Sequence, residues 1–260
     1  MMKQMIFLFG EELKKLFRSR YLYVFVAVSV LDFAAWAAEY SDRSRSILYS
    51  TGVHVSGQGM EYLLNHEFGD FGVLVIYLLP LLLIAAPVFS DETTNKILPQ
   101  ILVTQNGRTM DVIVKTALVL LIQLIWTIVF SLVSAAVVFS LFDMGISGIG
   151  VHMGKIFKCV LNIWLGSFCL ASVFLFVSSV MKNTISAMGA GFAFIIMPLF
   201  IESDQIWAQM FPTIGMQAEC LLQRSNSANL MIWSFYVSVG ILFICLNLLS
   251  QKNGICTFRR

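Results

Sequence analysis

The chain has 260 residues, 58% of them hydrophobic and 12% charged, with a mean hydropathy of +0.82 and a formal net charge of +2. A soluble domain carries about 25% charged residues, so this chain has too little polar surface to cover its apolar residues in water. The small net charge and the lack of a long basic run argue against a nucleic-acid partner. The composition is that of an all-α integral membrane protein.

A membrane-crossing helix needs about 20 apolar residues, and six runs qualify: residues 21–38, 71–89, 112–141, 156–180, 184–201 and 230–249. Before the first, residues 5–20 place Phe9, Leu13, Leu16 and Phe17 at helical spacing between charges that include Glu11, Lys14 and Arg18. That pattern predicts an amphipathic helix lying on the cytoplasmic interface; the basic flank of a signal anchor is the other reading. Ala35-Trp36-Ala37 has the look of a signal-peptide cleavage site, but the long charged stretch before it and Asp32 within the apolar run argue against cleavage. Asp32 is the one acidic residue well inside an expected span, and a carboxylate there is costly unless it faces protein or water. It either contributes a polar contact in a substrate path or between helices, or simply lies near the external interface, with Glu39 two turns later.

The polar stretch 39–70 contains His54, Glu61, His66, Glu67 and Asp70, which would either hold a metal or form an ordinary solvated loop. His66-Glu67 does not open a zincin motif, because Asp70 stands at the second histidine position. The second span carries Pro80 and Pro87, each a candidate kink. Residues 90–110 then run from an acidic start, Asp91 and Glu92 with Thr93 and Thr94, through an apolar stretch to an Asn106-Gly107 turn. The acidic residues and threonines suit a helix N-terminus. Arg108 and Lys115 lie seven apart and share one helical face. This is either a compact cytoplasmic feature able to dock into a partner's groove or an ordinary charged turn.

Gln123 in the third span and Asn162 in the fourth are polar residues expected to hydrogen-bond between helices, or to line a path through them. Between those spans, 143–154 is glycine-rich and reads as a turn. Gly154-Lys155 is not the end of a nucleotide-binding loop, since Ile149 and Ile156 occupy positions that need Gly and Ser or Thr. Only Met181-Lys182-Asn183 joins the fourth and fifth spans, which forces an antiparallel hairpin. Residues 202–229 form a polar external segment with Phe211-Pro212 and Leu221-Leu222, leaving room for short re-entrant helices. The five cysteines, 159, 169, 220, 245 and 256, form no metal-binding or redox spacing. With both termini inside, twelve of the 17 Lys and Arg fall on the cytoplasmic side and five (43, 45, 155, 158, 224) outside, as the positive-inside rule requires.

The segment after the second span resembles that of the permease subunits of type-two ABC exporters. Glu92, Leu98, Ile101-Leu102, Arg108 and Lys115 fall in the family's order of acidic residue, short apolar helix, turn, Arg and Lys. The amphipathic start, six spans in a single transmembrane domain over residues 1–260 and the short turn after the fourth span agree with it. Two positions depart: Asn95 stands near the usual glycine, and Asn106-Gly107 replaces a proline before the Arg. The resemblance implies that 90–110 is a coupling segment contacting a separate ABC ATPase through Glu92, Thr93, Leu98, Ile101, Leu102, Arg108 and Lys115, with Lys14 and Arg18 of the interfacial helix beside them. It implies a second permease copy or a paralogue, an amphiphilic cargo (a peptide such as an antimicrobial peptide, a lipid or a drug), and a bacterial cytoplasmic membrane. This chain would be no enzyme and hold no cofactor, ATP and Mg belonging to the partner. An ion-driven secondary transporter and a non-transporting scaffold are the alternatives; for the first, Asp32→Asn would abolish transport.

Overall fold

A computed structural model describes residues 2–51, 63–64, 68, 71–94, 107–141, 146–181, 183–200 and 207–253. No strand occurs among the described residues. In chain order the helices are α1 (Met2–Arg18), α2 (Arg20–Thr51), α3 (Phe71–Ala85), α4 (Pro87–Thr94), α5 (Gly107–Leu141), α6 (Ile146–Val180), α7 (Thr184–Ile196), α8 (Pro212–Gly215), α9 (Ala218–Gln223) and α10 (Asn226–Asn253). Single 3-10 turns follow α7 (Met197–Phe200) and precede α8 (Ala208–Met210).

Four stretches are long and apolar enough to cross a membrane: Val73–Ser90, Thr109–Ala136, Met153–Val180 and Asn226–Ser250. Helix α7 is apolar but has 13 residues, about 20 Å at helical rise, and the 3-10 turn at Pro198 lengthens it by roughly 8 Å. The first apolar run, 21–38, lies in α2, which continues to Thr51 through residues that read as polar loop.

Two local features differ from the sequence expectation. Helix α6 begins at Ile146, so the described part of the glycine-rich stretch, 146–154, is helical rather than a turn. A glycine in a helix interior costs only about 1 kcal/mol relative to alanine, and Ile149, Val151 and Met153 between the glycines favour continuation of a long apolar helix. Pro80 stays inside an unbroken α3, and the chain interrupts its helix only at Ala86, before Pro87.

Side-chain contacts give the helix directions. Tyr77 meets Thr127, whereas Phe89 meets Lys115, so α3 and α5 run antiparallel. Asn162 bonds Trp233, and Phe176 packs on Phe243 further along both helices, so α6 and α10 run parallel. Helix α7 returns antiparallel to α6 after a turn at Asn183, whose side chain caps it by accepting from Ile185 N at 2.9 Å. The last turn of α3–α4, the start of α5 and the α6–α7 turn therefore share one end of the bundle. The short elements of 208–223 lie at the other.

Helix α6 sits at the centre, packed by α3, α4, α5, α7, α8, α9 and α10. The main core buries Tyr77, Leu78, Ile84, Phe130, Ile163 and Phe174, and a smaller cluster of Cys169, Ile232 and Tyr236 lies between α6 and α10. Close approach is built in where Gly240 of α10 meets the Phe168 ring and Gly191 of α7 meets Leu82, because a Cβ at either position would overlap the neighbour. Phe25 and Phe33 of α2 pack on Trp126, with centroids 5.1 and 5.8 Å away, which holds α2 against α5. Large apolar side chains remain exposed on α2 (Val24, Leu31), α5 (Ile125, Leu132) and α10 (Ile241, Leu249). On a membrane protein these are the surfaces that meet lipid or another chain.

Candidate functional site at the α3–α4 break

A helix start leaves up to four backbone N–H groups without partners. Helix α4 starts at Pro87, which lacks one of those N–H groups and suits the first helical position. The preceding residue, Ala86, has no side-chain oxygen with which to cap the rest. The cap comes from another helix. Ser178 Oγ, on α6, accepts from Phe89 N at 3.0 Å and Ser90 N at 3.2 Å, and its own hydroxyl donates to Ala86 O. The Ser90 hydroxyl donates to the second lone pair of that carbonyl at 2.7 Å, and its oxygen lies 3.1 Å from Thr184 Oγ1 on α7. Ser90, Ser178 and Thr184 are all buried. One polar cluster thus joins the break to both arms of the α6–α7 hairpin.

The other flank of residues 95–106 is fixed separately. Lys115 Nζ, buried, lies 2.8 Å from Asp111 Oδ2 one turn earlier on α5 and 5.4 Å from the centroid of the Phe89 ring on α4. The Asp-then-Lys order at a spacing of four is the favourable one along a helix, and the aromatic face supplies further attraction for the ammonium.

Deeper in the bundle, the Tyr77 hydroxyl lies 2.7 Å from Thr127 Oγ1 and 3.0 Å from Ser167 Oγ. Gln123 Nε2 donates to Ser167 Oγ at 2.6 Å and to Trp164 O at 3.1 Å, and Trp126 Nε1 donates to Tyr77 O at 3.0 Å. This network spans α3, α5 and α6. At the far end, Asn162 Nδ2 donates to Gly215 O at 2.8 Å while its Oδ1 accepts from Trp233 Nε1 at 2.9 Å. Arg224 donates to Gln209 Oε1 at 2.7 Å and to Gly215 O at 3.3 Å, and Tyr236 donates to Gln209 O at 3.0 Å. The short helices of 208–223 are thereby sewn onto α6 and α10.

Gln123 and Asn162 each have partners on other elements. Glu92 and Thr93 lie in α4 and Arg108 is the second residue of α5, but their side chains are outside the described set, as is that of Asp32 in α2. Leu98, Ile101 and Leu102 lie outside the described residues, as do His54, Glu61, His66, Glu67 and Asp70. Lys115, expected on a partner-facing surface, is instead enclosed, 2% exposed. Lys14 and Arg18 are exposed on α1. The Lys14 ammonium, 2.7 Å from Glu11, holds that carboxyl below the usual carboxylate range, and Lys15 pairs with Glu12 in the same way along the helix. Among the described residues no group of three or more His, Cys, Asp or Glu could hold a metal ion.

Ser178 and Thr184 escaped the sequence reading. Their only signal is indirect: Ala86-Pro87 opens a helix with no capping side chain of its own, so a donor and acceptor must come from elsewhere.

Comparison with known proteins adds one finding. Residues 8–198 match the family model described as ABC-2 family transporter protein. No curated protein and no solved structure matches the chain. That match runs from within α1 to just past α7 and takes in the break, the 95–106 segment and the hairpin. The chain belongs to the ABC-2 family of transporter proteins, as a multi-pass membrane permease whose family works with an ABC ATPase.

Proposed function

We propose that this chain is the membrane-spanning permease subunit of an ATP-driven exporter in a bacterial cytoplasmic membrane. It crosses the bilayer six times, through residues 21–38, 71–89, 112–141, 156–180, 184–201 and 230–249, with both termini cytoplasmic. Residues 5–20 lie on the inner interface, and residues 90–110 form the coupling segment that a separate ABC ATPase pushes. ATP and Mg are bound and used in that partner. A second permease copy or a paralogue completes the path for an amphiphilic cargo, such as a peptide, lipid or drug.

The observation that carries this reading is the extent of the family match, which includes the first four apolar runs, most of the fifth and the segment between the second and third. The geometry supports it by giving both flanks of that segment a firm hold on the bundle. Displacement of a loose loop would dissipate; displacement of a segment tied at Ser178 and at Lys115 moves helices. Lys115 acts from within, orienting the start of α5, so that Arg108 one turn before Asp111 meets the partner. Residues Glu92, Thr93, Leu98, Ile101 and Leu102, with Lys14 and Arg18 on α1, make up the rest of the contact. Gln123 and Asn162 hold helices to one another, and Asp32 faces the path or a neighbouring helix.

The test is coupling. Glu92→Ala and Arg108→Glu each lower the ATP hydrolysis that the permease stimulates in its partner, while membrane insertion stays normal. Normal stimulation in both variants would mean that the ATPase contacts the chain elsewhere.

A further inference from the structure

Resting on the reading of 90–110 as the coupling segment, we infer that Ser178 is the point where its movement passes to the α6–α7 hairpin. Helix α4 and α7 would then travel as one body through the cycle, rather than parting and rejoining.

Five observations lead there. Pro87 interrupts the helix immediately before α4, so the second span can bend at Ala86 without breaking an intact turn. The backbone groups exposed by that interruption are satisfied from α6, by one hydroxyl that serves Ala86 O, Phe89 N and Ser90 N together. Ser90 reaches past α6 to Thr184, in the first turn of α7. Asn183 caps α7 and fixes its entry, so a pull on Thr184 is a pull on the helix axis rather than on a slack turn. All three hydroxyls are buried, where separating them would leave polar atoms unpaired at the edge of an apolar core. The cheaper path is for the cluster to move whole. Lys115 ties the same α4 to α5 through Phe89, but that contact is a cation over a ring, which tolerates sliding better than three directed hydrogen bonds do.

The prediction concerns a distance and a rate in the complete complex of the full chain with its ABC ATPase, in lipid nanodiscs. Spin labels on genetically encoded keto amino acids at Ile185 and Leu249, exposed sites on α7 and α10, report the hairpin's position. ATP with vanadate shifts that distance in the otherwise unchanged protein. In Ser178→Ala the shifted fraction falls about fivefold, while ATP hydrolysis by the partner continues at a rate within about twofold of the unsubstituted complex. Ser178→Thr, which keeps a hydroxyl, restores the shift. In Ser90→Cys with Thr184→Cys, oxidation to a disulfide leaves the shift intact, because the two positions never separate.

A full shift in Ser178→Ala, or a disulfide that abolishes the shift, overturns the inference. Should Ser178→Ala fail to fold, Thr184→Val decides in its place, since it removes the α7 hydroxyl that meets Ser90 of α4: a reduced shift supports the inference and an unchanged one overturns it. The parent reading fails differently. If Arg108→Glu leaves both hydrolysis and the shift unaltered, the coupling segment itself is misassigned, whatever Ser178→Ala does.

Discussion

At Ser178 one hydroxyl completes the hydrogen bonding of a helix to which it does not belong. Replacing an N-cap hydroxyl by a methyl group costs about 1–2 kcal/mol, so Ser178→Ala lowers the thermal midpoint of the solubilised protein even before coupling is considered. Lys115 is the more expensive residue to lose. It is enclosed beside Asp111, and removing one partner of a buried ion pair costs about 3–5 kcal/mol. Lys115→Met is accordingly less stable than the joint Lys115→Met, Asp111→Leu variant; equal stabilities would show that the pair is solvated. Asn247 predicts the opposite sign. It is buried in α10, and neither of its amide atoms has a hydrogen-bond partner among the described residues. Asn247→Leu removes an unpaired amide from an apolar surround and raises stability by about 1 kcal/mol, read as a higher thermal midpoint. Gly215 tolerates nothing larger. A Cβ there would overlap the Gln209 carbonyl and the Tyr236 hydroxyl, so Gly215→Ala costs about 1–3 kcal/mol by overpacking and loosens the 208–223 elements first. Of these residues, Lys115 was legible as important but not as buried. Its seven-residue spacing from Arg108 places it along one side of α5, and only the position of Phe89 shows that Lys115 itself is covered.

Among the elements, four long apolar helices were legible because hydrophobic length alone identifies them. Their ends were less so. The start of α6 was hidden by glycines, whose cost of about 1 kcal/mol each a long helix tolerates. The α3–α4 break was half visible: two prolines were plain, but Pro80 stays within its helix and Pro87 does not. The difference lies in Ser178, ninety residues away, which supplies the partners that make an interruption affordable at one of them. Helix α1 carries a separate expectation. Ile6, Phe7 and Phe17 are exposed together with Lys14 and Arg18, and apolar side chains beside basic ones fit a helix lying at a lipid headgroup boundary. A tryptophan placed by Phe17→Trp should be quenched more by lipids brominated near the headgroup than by lipids brominated near the chain end. Stronger quenching from the deep bromines, or none from either, would remove α1 from the interface. The Glu11–Lys14 pair contributes little to this helix, being exposed and screened by salt. With the folded-state pKa of Glu11 held low, that small contribution is present above the ordinary carboxylate range and disappears as pH falls through the lowered value.

For the molecule as a whole, the described helices pack around α6, closed at one end by the sewn-down 208–223 elements and tied at the other to both flanks of residues 95–106. The family is that of ABC-2 transporter proteins, whose permeases work with an ABC ATPase, and the proposed coupling segment is where that partner would act. The membrane class and the permease family were readable from the sequence because hydrophobic length and the order of charged residues after the second span are local properties. The hydroxyl cluster at the α3–α4 break was not, because its members come from three helices and none carries a local signal of its role. The most direct measurement is photo-crosslinking in intact cells from a benzophenone amino acid at Ile101, within the segment proposed to meet the ATPase. The expected result is a covalent adduct whose second component is an ABC ATPase, weakened by Arg108→Glu. A normally inserted permease that gives no ATPase adduct from Ile101, Leu98 or Leu102 would contradict the assignment of residues 90–110 as the site where the driving force enters.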